Sequence, residues 1–282
     1  MKISHRWLDR LIIIAIALIT CFYIYGAKIE PNWLEVVSIP VAIPHLTPAF
    51  NNFKLVQISD IHLGRFMPEK RLDRIIKLVN EQNPDAIAIT GDIITKHHSL
   101  VKPEIFNKLN QLISQECNVA VLGNHDHWRN KEKTDVLKKA LANNHILNLE
   151  NQVYILHRGK EKLTFAGLDD PYVGNPDFKR VIRQLPNDGA TILLVHEPDF
   201  IDRSAKTNLF DLQLSGHSHG GQIKFPFFEP IILPYGGQKY FAGLHQVNNT
   251  LEYTNRGLGM TGVPLRFNSR PEITVFTLKT EQ

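Results

Sequence analysis

The sequence predicts an α/β protein in which a two-sheet β-sandwich is flanked by helices and preceded by one N-terminal transmembrane helix. Strand-like and helix-like segments alternate in the first half of the chain, the second half is richer in strands, and an apolar run follows basic residues at the N-terminus. Alternating strands and helices are typical of β-α-β units around a mainly parallel sheet. The chain contains no internal repeat or low-complexity tract.

An uncleaved membrane anchor is predicted over residues 1–28. Three basic residues come first, Lys2, Arg6 and Arg10. The apolar run that follows, from Leu11 to about Ala27, is close to the lower limit of about 17 to 25 residues for spanning a bilayer. Basic residues on the near side favour a cytoplasmic N-terminus. The rest of the chain would then lie outside the cytoplasm.

Two kinds of cleaved signal are alternatives to the anchor. A signal peptide needs small residues at its cleavage site, and only the poor Tyr25–Ala27 is available. A lipoprotein signal could use Leu18–Cys21, but Thr is a poor residue before that cysteine. The apolar run continues through Phe22–Tyr25, and an aromatic end of this kind suits a membrane interface. We therefore favour the anchor.

The segment 29–52 is predicted to be a linker with a possible first strand over Leu34–Ile43, and residues 53–282 are predicted to form a single domain. Strands and helices are then expected in turn: strand Phe53–Ser59, a helix through Leu72–Val79, strand Asp85–Thr90, helix Pro103–Ser114, strand Asn118–Leu122 and helix Lys131–Ala142. Further strands are expected at Gln152–His157, Leu163–Leu168, Thr191–Val195, Leu209–Leu214, Tyr240–Val247, Leu251–Thr254 and Ile273–Leu278, with helices near Asp177–Gln184 and Pro198–Ala205.

The composition excludes several classes of protein. With 43% hydrophobic and 21% charged residues, the 282-residue chain is typical of a globular protein. Its net charge of +4 is small and its basic residues are scattered, which argues against nucleic-acid binding. The two cysteines, Cys21 and Cys117, lie in unlike segments and indicate neither a disulfide framework nor a thiolate metal site.

Five predicted strands each end in a polar cluster. The clusters are Asp60-Ile61-His62, Gly91-Asp92, Gly123-Asn124-His125-Asp126, His196-Glu197 and Gly216-His217-Ser218-His219. The carboxyl ends of strands in an open α/β sheet converge on the ligand crevice. We therefore expect these side chains to meet around one point, where the glycines would permit close approach of the backbone.

Seven residues of these clusters offer oxygen or imidazole ligands: Asp60, His62, Asp92, Asn124, His196, His217 and His219. Seven ligands exceed what one ion takes and suit two ions that share a carboxylate, as in hydrolytic sites whose ions lie about 3.5–4 Å apart. In an extended turn alternate side chains point the same way, so Asp60 and His62 would share one direction on either side of Ile61. His217 and His219 would do the same on either side of Ser218.

Each cluster alone has a structural explanation, since Asp-x-His is often a surface feature and Gly-Asp often a turn. Their occurrence at five successive strand ends is what predicts a site. Five other histidines lack this context and are predicted to be surface or core residues: His97, His98, His127, His145 and His157.

Taken together, the five clusters resemble the calcineurin-like metallophosphoesterase superfamily, over roughly Lys54 to Leu278. The segment Gly216–Gln222 and a tail through Asn255–Gly259, Pro264–Phe267 and Arg270–Glu272 are similar to a bacterial membrane-associated branch. This branch includes phosphodiesterases and the pyrophosphate hydrolases that act on UDP-2,3-diacylglucosamine.

The resemblance implies two metal ions bridged by Asp92, with Asp60, His62 and His219 on one and Asn124, His196 and His217 on the other. It implies that His125 is the general acid, oriented by Asp126, and that a metal-bridging water attacks phosphorus in line. The ligands contain no thiolate and fit Mn, Fe, Zn or Co.

We therefore expect a membrane-associated hydrolase of lipid-linked phosphodiesters or pyrophosphates. The alternatives are a phosphatase or phosphodiesterase for soluble nucleotides or phosphoproteins, and a non-catalytic binding module, against which the intact ligand set argues. No motif reads a base, a sugar or an acyl chain, and none predicts an oligomeric state.

An apolar segment directly follows the last ligand cluster. Phe225–Phe228 and Pro230–Tyr235 contain prolines that exclude a regular helix and a central strand, so a loop near the mouth of the site is expected. Its large side chains either pack back on the sheet or contact a membrane and the acyl part of a substrate.

Overall fold

The computed structural model describes residues 5–95, 103–127, 131–230 and 232–281. Two six-stranded sheets face each other, and helices cover the outer face of each. The predicted two-sheet architecture is confirmed.

The first sheet has the strand order β1-β12-β2-β3-β4-β5. Its strands are β1 (Glu35–Ile43), β2 (Lys54–Ile58), β3 (Ala86–Thr90), β4 (Cys117–Val121), β5 (Ile146–Asn148) and β12 (Glu272–Thr280). Strands β2 to β5 are parallel, as β-α-β units require, whereas β12 runs antiparallel to β2 and parallel to β1. The strand expected between anchor and domain is therefore present and forms an edge of this sheet. Strand β5 was not predicted, because three residues are too few to show a period.

The second sheet has the order β10-β11-β9-β8-β7-β6. Its strands are β6 (Gln152–Arg158), β7 (Glu161–Gly167), β8 (Ala190–Leu194), β9 (Leu212–Ser215), β10 (Gly243–Val247) and β11 (Thr250–Thr254). The four central strands are parallel, and β6 and β10 pair antiparallel at the two edges. All of these strands were expected, with ends that shift by a few residues.

Five α-helices lie among the described residues: α1 (His5–Ile24), α2 (Glu69–Asn80), α3 (Lys131–Asn143), α4 (Phe178–Gln184) and α5 (Ile201–Ser204). The helix expected over Pro103–Ser114 is a 3-10 helix that ends earlier, at Gln111. Short 3-10 turns flank α5 and complete the helical segment expected near Pro198–Ala205.

Strand β3 shows how the layers are held together. Ala86 and Ala88 pack between the two sheets, whereas Ile87 and Ile89 pack under the helices that cover the first sheet. Both faces of this strand are therefore buried, which explains its continuous apolar sequence. The elements place the carboxyl ends of β2, β3, β4, β8 and β9 at one end of the sandwich, where the polar clusters lie.

Helix α1 projects from the sandwich. Within the described part of the chain, one helical stretch, Trp7–Asn32, is long and apolar enough to cross a membrane, and only 6% of its most apolar window is buried. Its last turns contact the sandwich, where Phe22 and Tyr25 pack against Phe267.

Candidate metal centre

The strand-end clusters converge, and three predicted ligands form a first group. Asp60, His62 and His219 each place one ligand atom within 4.8 Å of the others. The Nε2 atom of His219 lies 3.2 Å from Asp60 Oδ1 and 3.0 Å from His62 Nε2. Two imidazole nitrogens and a carboxylate oxygen that converge in this way can hold one metal ion.

A second group lies beside the first. Asp92, His196 and His217 also place their ligand atoms within 4.8 Å of one another. The Oδ2 atom of Asp92 lies 3.4 Å from His196 Nε2 and 3.6 Å from His62 Nε2, so this one carboxylate reaches both groups. The geometry suits two ions that share Asp92 as a bridging ligand.

Unpaired polar atoms show that the residues fit such a centre. Asp60 Oδ1, Asn124 Oδ1 and His196 Nε2 are buried and have no hydrogen-bond partner among the described residues. Leaving a buried polar atom unpaired costs about 1–3 kcal/mol, so such atoms are rare in folded proteins. Metal coordination accounts for all three atoms, and a donor set of oxygen and imidazole suits Mn, Fe, Zn or Co.

The far ring nitrogens of two histidines face backbone oxygens. His196 Nδ1 lies 2.7 Å from the carbonyl oxygen of Thr90, and His217 Nε2 lies 3.0 Å from that of Tyr235. An N–H that donates to such an oxygen fixes the tautomer and orients the ring, as is usual around metal sites. His196 therefore presents Nε2 to the centre, and His217 presents Nδ1.

Five of the seven predicted ligands have a left-handed backbone, with φ of 48° at Asp60, 50° at His62, 51° at Asp92, 69° at His217 and 53° at His219. The extended turns predicted around Ile61 and Ser218 are therefore wrong. The two side chains of each pair still point to one centre, because both ligands that flank Ile61, and both that flank Ser218, adopt this left-handed conformation.

Hydrogen bonds between strand ends hold this conformation in place. The amide of Asp60 donates to Gly91 O and that of His62 donates to Asp92 O, both at 3.0 Å, which continues the pairing of β2 with β3. A left-handed residue with a side chain costs roughly 1–2 kcal/mol. Strain of this kind persists at functional sites where the surrounding structure imposes it.

Two of the cluster glycines are needed because the backbone approaches a ligand closely. A Cβ atom at Gly216 would lie 2.3 Å from Asp60 Oδ2, and a Cβ atom at Gly91 would lie 2.5 Å from His196 Nδ1. Neither position can accept a larger residue without moving a ligand. The expectation that these glycines permit close approach is confirmed by the residues they touch.

His125 borders both the ligand groups and open space. Its backbone amide donates to Asp92 Oδ1 at 2.8 Å, and its ring packs edge-on against His62 with centroids 4.8 Å apart. The side chain is half-buried. A histidine in this position can reach the leaving oxygen of a phosphoester that binds to the centre.

Asp126 ties two loops together. Its carboxylate accepts hydrogen bonds from the amides of Ile93, Ile94 and Gly123, at 2.9–3.2 Å. Burial, with a further contribution from the Asp92 charge, raises the pKa of Asp126 to about 7. The loop that carries His125 is therefore fixed to the loop after β3.

The charges in the site favour the forms that bind metal. Burial lowers the pKa of His62 to about 3 and that of His217 to about 4. Burial also acts to raise the pKa of Asp92, but the charges of His196 and His125 outweigh it and hold that pKa well below its usual range. At neutral pH His62 and His217 are therefore neutral and Asp92 is ionised, as metal binding requires. Burial acts to lower the pKa of His196, but the charge of Asp92 outweighs it and raises that pKa well above its usual value, so a bound metal ion would displace this proton.

Arg266 is a buried residue behind His219 whose role the sequence does not indicate. Its guanidinium donates to the carbonyl oxygens of Gly257, Gly259 and Ser269, and one of its nitrogens lies 3.4 Å from His219 Nδ1. The Ser269 hydroxyl donates to His219 O at 2.6 Å. The C-terminal tail therefore holds His219 in place, although nothing in the sequence marks this arginine as buried.

A cleft of about 520 Å³ opens beside the ligand groups. Its floor includes five predicted site residues, Asp92, Asn124, His125, His217 and His219. One wall is apolar and is formed by Ile223, Ile232, Pro234 and Val263. The site therefore joins a polar centre to an apolar groove.

The other histidines lie elsewhere. His127 is half-buried, with Nε2 2.6 Å from Asp169 Oδ1. His145 and His157 are exposed. His97 and His98 lie outside the described residues.

Sequence comparison identifies the family. The model of the family described as calcineurin-like phosphoesterase matches residues 53–221, which include all seven predicted ligands. The chain belongs to the calcineurin-like phosphoesterase family. Together with the two ligand groups, this membership makes the protein a metal-dependent phosphoester hydrolase.

Similar members of the calcineurin-like phosphoesterase family come from bacteria and animals. The chain is 41% identical to the uncharacterized metallophosphoesterase YkuE of Bacillus subtilis, over 92% of this chain and 90% of that protein. It is 30% identical to phosphodiesterase YaeI of Escherichia coli, over 88% and 90%. It is also 30% identical to a transmembrane protein with metallophosphoesterase domain from Danio rerio, over 95% of this chain but 62% of that longer protein.

Proposed function

We propose that this phosphoesterase hydrolyses phosphodiesters or pyrophosphates of lipid-linked substrates, such as UDP-2,3-diacylglucosamine or a phospholipid, at a bacterial inner membrane. The observation that carries the proposal is the cleft, which joins the metal centre to an apolar wall. A phosphoester on the floor would place one substituent against Ile223, Ile232 and Val263. An acyl chain, which is apolar along its whole length, gains more from burial on such a surface than a nucleotide base, whose edges are polar.

The N-terminal helix supports a membrane location. The stretch Trp7–Asn32 is long and apolar enough to cross a bilayer, and the relative from Danio rerio is named a transmembrane protein. The basic residues that precede the helix favour a cytoplasmic N-terminus, so the proposed catalytic domain lies outside the cytoplasm.

We assign the ligands as two sets bridged by Asp92: Asp60, His62 and His219 for one ion, and Asn124, His196 and His217 for the other. Bound ions would lower the pKa of a coordinated water and neutralise charge that develops on the phosphoryl oxygens. The fixed carboxylates and imidazoles need little rearrangement as the reaction proceeds, which is the condition for effective electrostatic stabilisation.

His125 is assigned as the general acid. It lies beside the ligand groups and on the floor of the cleft, so its ring, when protonated, can give a proton to the leaving oxygen as the bond to phosphorus breaks. Burial lowers the pKa of His125, which makes the protonated ring a stronger acid. Asp126 keeps the His125 loop against the loop after β3 through its three backbone contacts. It acts as a positioning residue rather than as a proton donor to substrate.

A turnover screen of the full-length protein in detergent, loaded with Mn²⁺, tests the proposal. The substrates are UDP-2,3-diacylglucosamine, a phospholipid, a model phosphodiester and a phosphomonoester. We expect a higher kcat/KM for at least one lipid-linked substrate than for both soluble ones. Preference for the soluble phosphodiester or phosphomonoester would overturn the lipid assignment while leaving the hydrolase assignment intact.

A further inference from the structure

We propose that an apolar rim at the mouth of the cleft is a second membrane contact, which holds the active site open toward the bilayer surface. The rim consists of Phe225, Phe227, Phe228, Ile232 and Val263. Its occupant is the lipid of the same bilayer that holds α1, so the inference rests on the proposed membrane anchor.

The rim is exposed to an extent that is unusual for large apolar side chains. Phe227 is fully exposed, and Phe228 and Ile232 are 69% and 80% exposed. The interpretation in which these side chains pack back on the sheet is therefore wrong. Contiguous apolar patches on a folded surface mark contacts with membranes, ligands or partners.

Ring stacking sets the rim at a definite depth along α1. Phe225 stacks on Phe22 with centroids 6.0 Å apart and nearly parallel planes, and both rings contact Phe267. Phe22 belongs to the stretch that is apolar enough to span a bilayer, and ten residues of that stretch follow it. A bilayer that surrounds the apolar part of this stretch as far as Phe22 therefore reaches the level at which the rim begins.

The junction between α1 and the sandwich is fixed by hydrogen bonds. The amide of Arg266 donates to Gly26 O at 2.9 Å. The buried carboxylate of Glu30 accepts from the amides of Asn268 and Ser269, at 2.9 and 2.5 Å. The same Ser269 hydroxyl contacts the backbone of a predicted metal ligand. The helix therefore presents the metal centre at a set height above the bilayer.

Two residues of the rim also form part of the apolar wall of the cleft. Ile232 and Val263 line the cleft and are also exposed, at 80% and 49%. The Gln222 side chain holds this wall together, because its amide contacts Thr261 and the carbonyl oxygen of Val263. A lipid whose chain stays in the leaflet could thus place its phosphoester on the ligands without leaving apolar surroundings.

The shared bilayer explains the rim better than a protein partner. The rim lies next to the apolar helix α1. The Phe22–Phe225 stack places the rim and the helix on the same side of the sandwich. Aromatic side chains are enriched at the membrane interface. A separate protein would have to fit between the rim and the lipid around α1.

Depth-dependent quenching tests the rim in the whole protein. The Phe228→Cys variant is labelled at the new cysteine with an environment-sensitive fluorophore. It is then reconstituted into phosphatidylcholine–phosphatidylglycerol vesicles that contain doxyl-labelled lipid. The background is Cys21→Ala, and Cys117 is buried and will not compete for label. The matched control is Ile113→Cys, which is 65% exposed and precedes β4, at the opposite end of the sandwich.

We expect doxyl lipid to reduce the fluorescence of the label at 228 and to leave the label at 113 unchanged. Equal quenching at the two positions, or none at 228, overturns the rim as a membrane contact. This result does not depend on turnover, so it is separable from failure of the lipid-substrate proposal.

Turnover provides the second arm. Replacing Phe227 and Phe228 by Ser should raise the KM for a lipid phosphoester in vesicles several-fold and leave kcat/KM for a small soluble phosphodiester unchanged, with Ile113→Ser as the control. An unchanged KM for the lipid substrate contradicts the proposal. Equal losses on both substrates together with a lower Tm also contradict it, since the two side chains would then stabilise the fold.

Discussion

Asp92 is the residue on which the two-ion assignment depends. Its Oδ2 atom lies 3.4 Å from His196 Nε2 and 3.6 Å from His62 Nε2, and these two nitrogens belong to different ligand groups. Replacing Asp92 by Asn removes the shared charge while keeping the shape. We expect this variant to lose most of its metal, measured by elemental analysis, and nearly all turnover.

His125 is expected to behave differently. The His125→Ala variant should keep both metals, because the ring is assigned as a proton donor. General acid catalysis contributes about 10² to 10⁴-fold, so turnover should fall by that order for poor leaving groups and much less for good ones. A loss of metal as severe as in Asp92→Asn would show that His125 is a ligand and that the division of roles is wrong.

At the scale of single residues, the ligand types were predictable but their backbone was not. The Asp, Asn and His ligands can be recognised in the sequence, because each lies in a polar cluster that follows an apolar strand. The left-handed φ at Asp60 and His62 is imposed by hydrogen bonds to the neighbouring strand, which no local pattern encodes. The same is true of Arg266, whose burial behind His219 depends on residues far away in the chain.

Strand β11 contains a buried acid that has no place in the proposed chemistry. Glu252 is fully buried, its Oε1 atom accepts from the Thr254 hydroxyl at 2.7 Å, and burial raises its pKa well above the usual value of 4.5. The folded protein keeps the proton to higher pH than the unfolded chain does. Glu252 therefore contributes stability below pH 4.5 that is lost as pH rises, by up to about 1.4 kcal/mol per unit.

The variant Glu252→Gln keeps an oxygen acceptor and does not ionise. The difference in unfolding free energy between variant and native protein should therefore grow in favour of the variant as pH rises from about 5 to 8. Thermal unfolding in detergent at several pH values measures it. Glu81→Gln, at an exposed carboxylate after α2, is the control and should show no such trend. A Glu252→Gln difference that is flat with pH would show that the acid is not buried as described.

At the scale of elements, periodicity located the long strands and helices because their burial repeats along the chain. Strand β5 was not predicted, because three residues are too few to show a hydrophobic period. The 3-10 helix Pro103–Gln111 has the amphipathic spacing of a helix, so the sequence placed it but could not give its type. The parallel pairing of β1 with β12 joins residues more than 200 positions apart, which local pattern cannot show.

The position of the whole molecule in the membrane gives a separate prediction. A reporter that works only outside the cytoplasm should be active when it is fused after Gln282. The basic residues keep the N-terminus in the cytoplasm, and a single membrane-spanning helix places the rest of the chain on the other side. The protein should also stay with the membrane during carbonate extraction. Cytoplasmic activity of the reporter would overturn the topology, and release by carbonate would overturn the anchor.

The sequence indicated both an apolar helix and an apolar loop, but not that they touch. The contact depends on Phe22, Phe225 and Phe267, three residues from distant segments whose stacking needs the finished fold. Sequence alone therefore allows two interpretations of the loop, and the exposure of Phe227 and Phe228 in the folded protein decides between them.

Metal stoichiometry tests the central claim most directly. The full-length protein is stripped with a chelator, Mn²⁺ is returned in steps, and bound metal and hydrolysis of a model phosphodiester are followed together. We predict that binding saturates at two ions per chain and that turnover appears with occupation of both. Saturation at one ion, or full turnover in the stripped protein, would contradict a dinuclear centre built on Asp92.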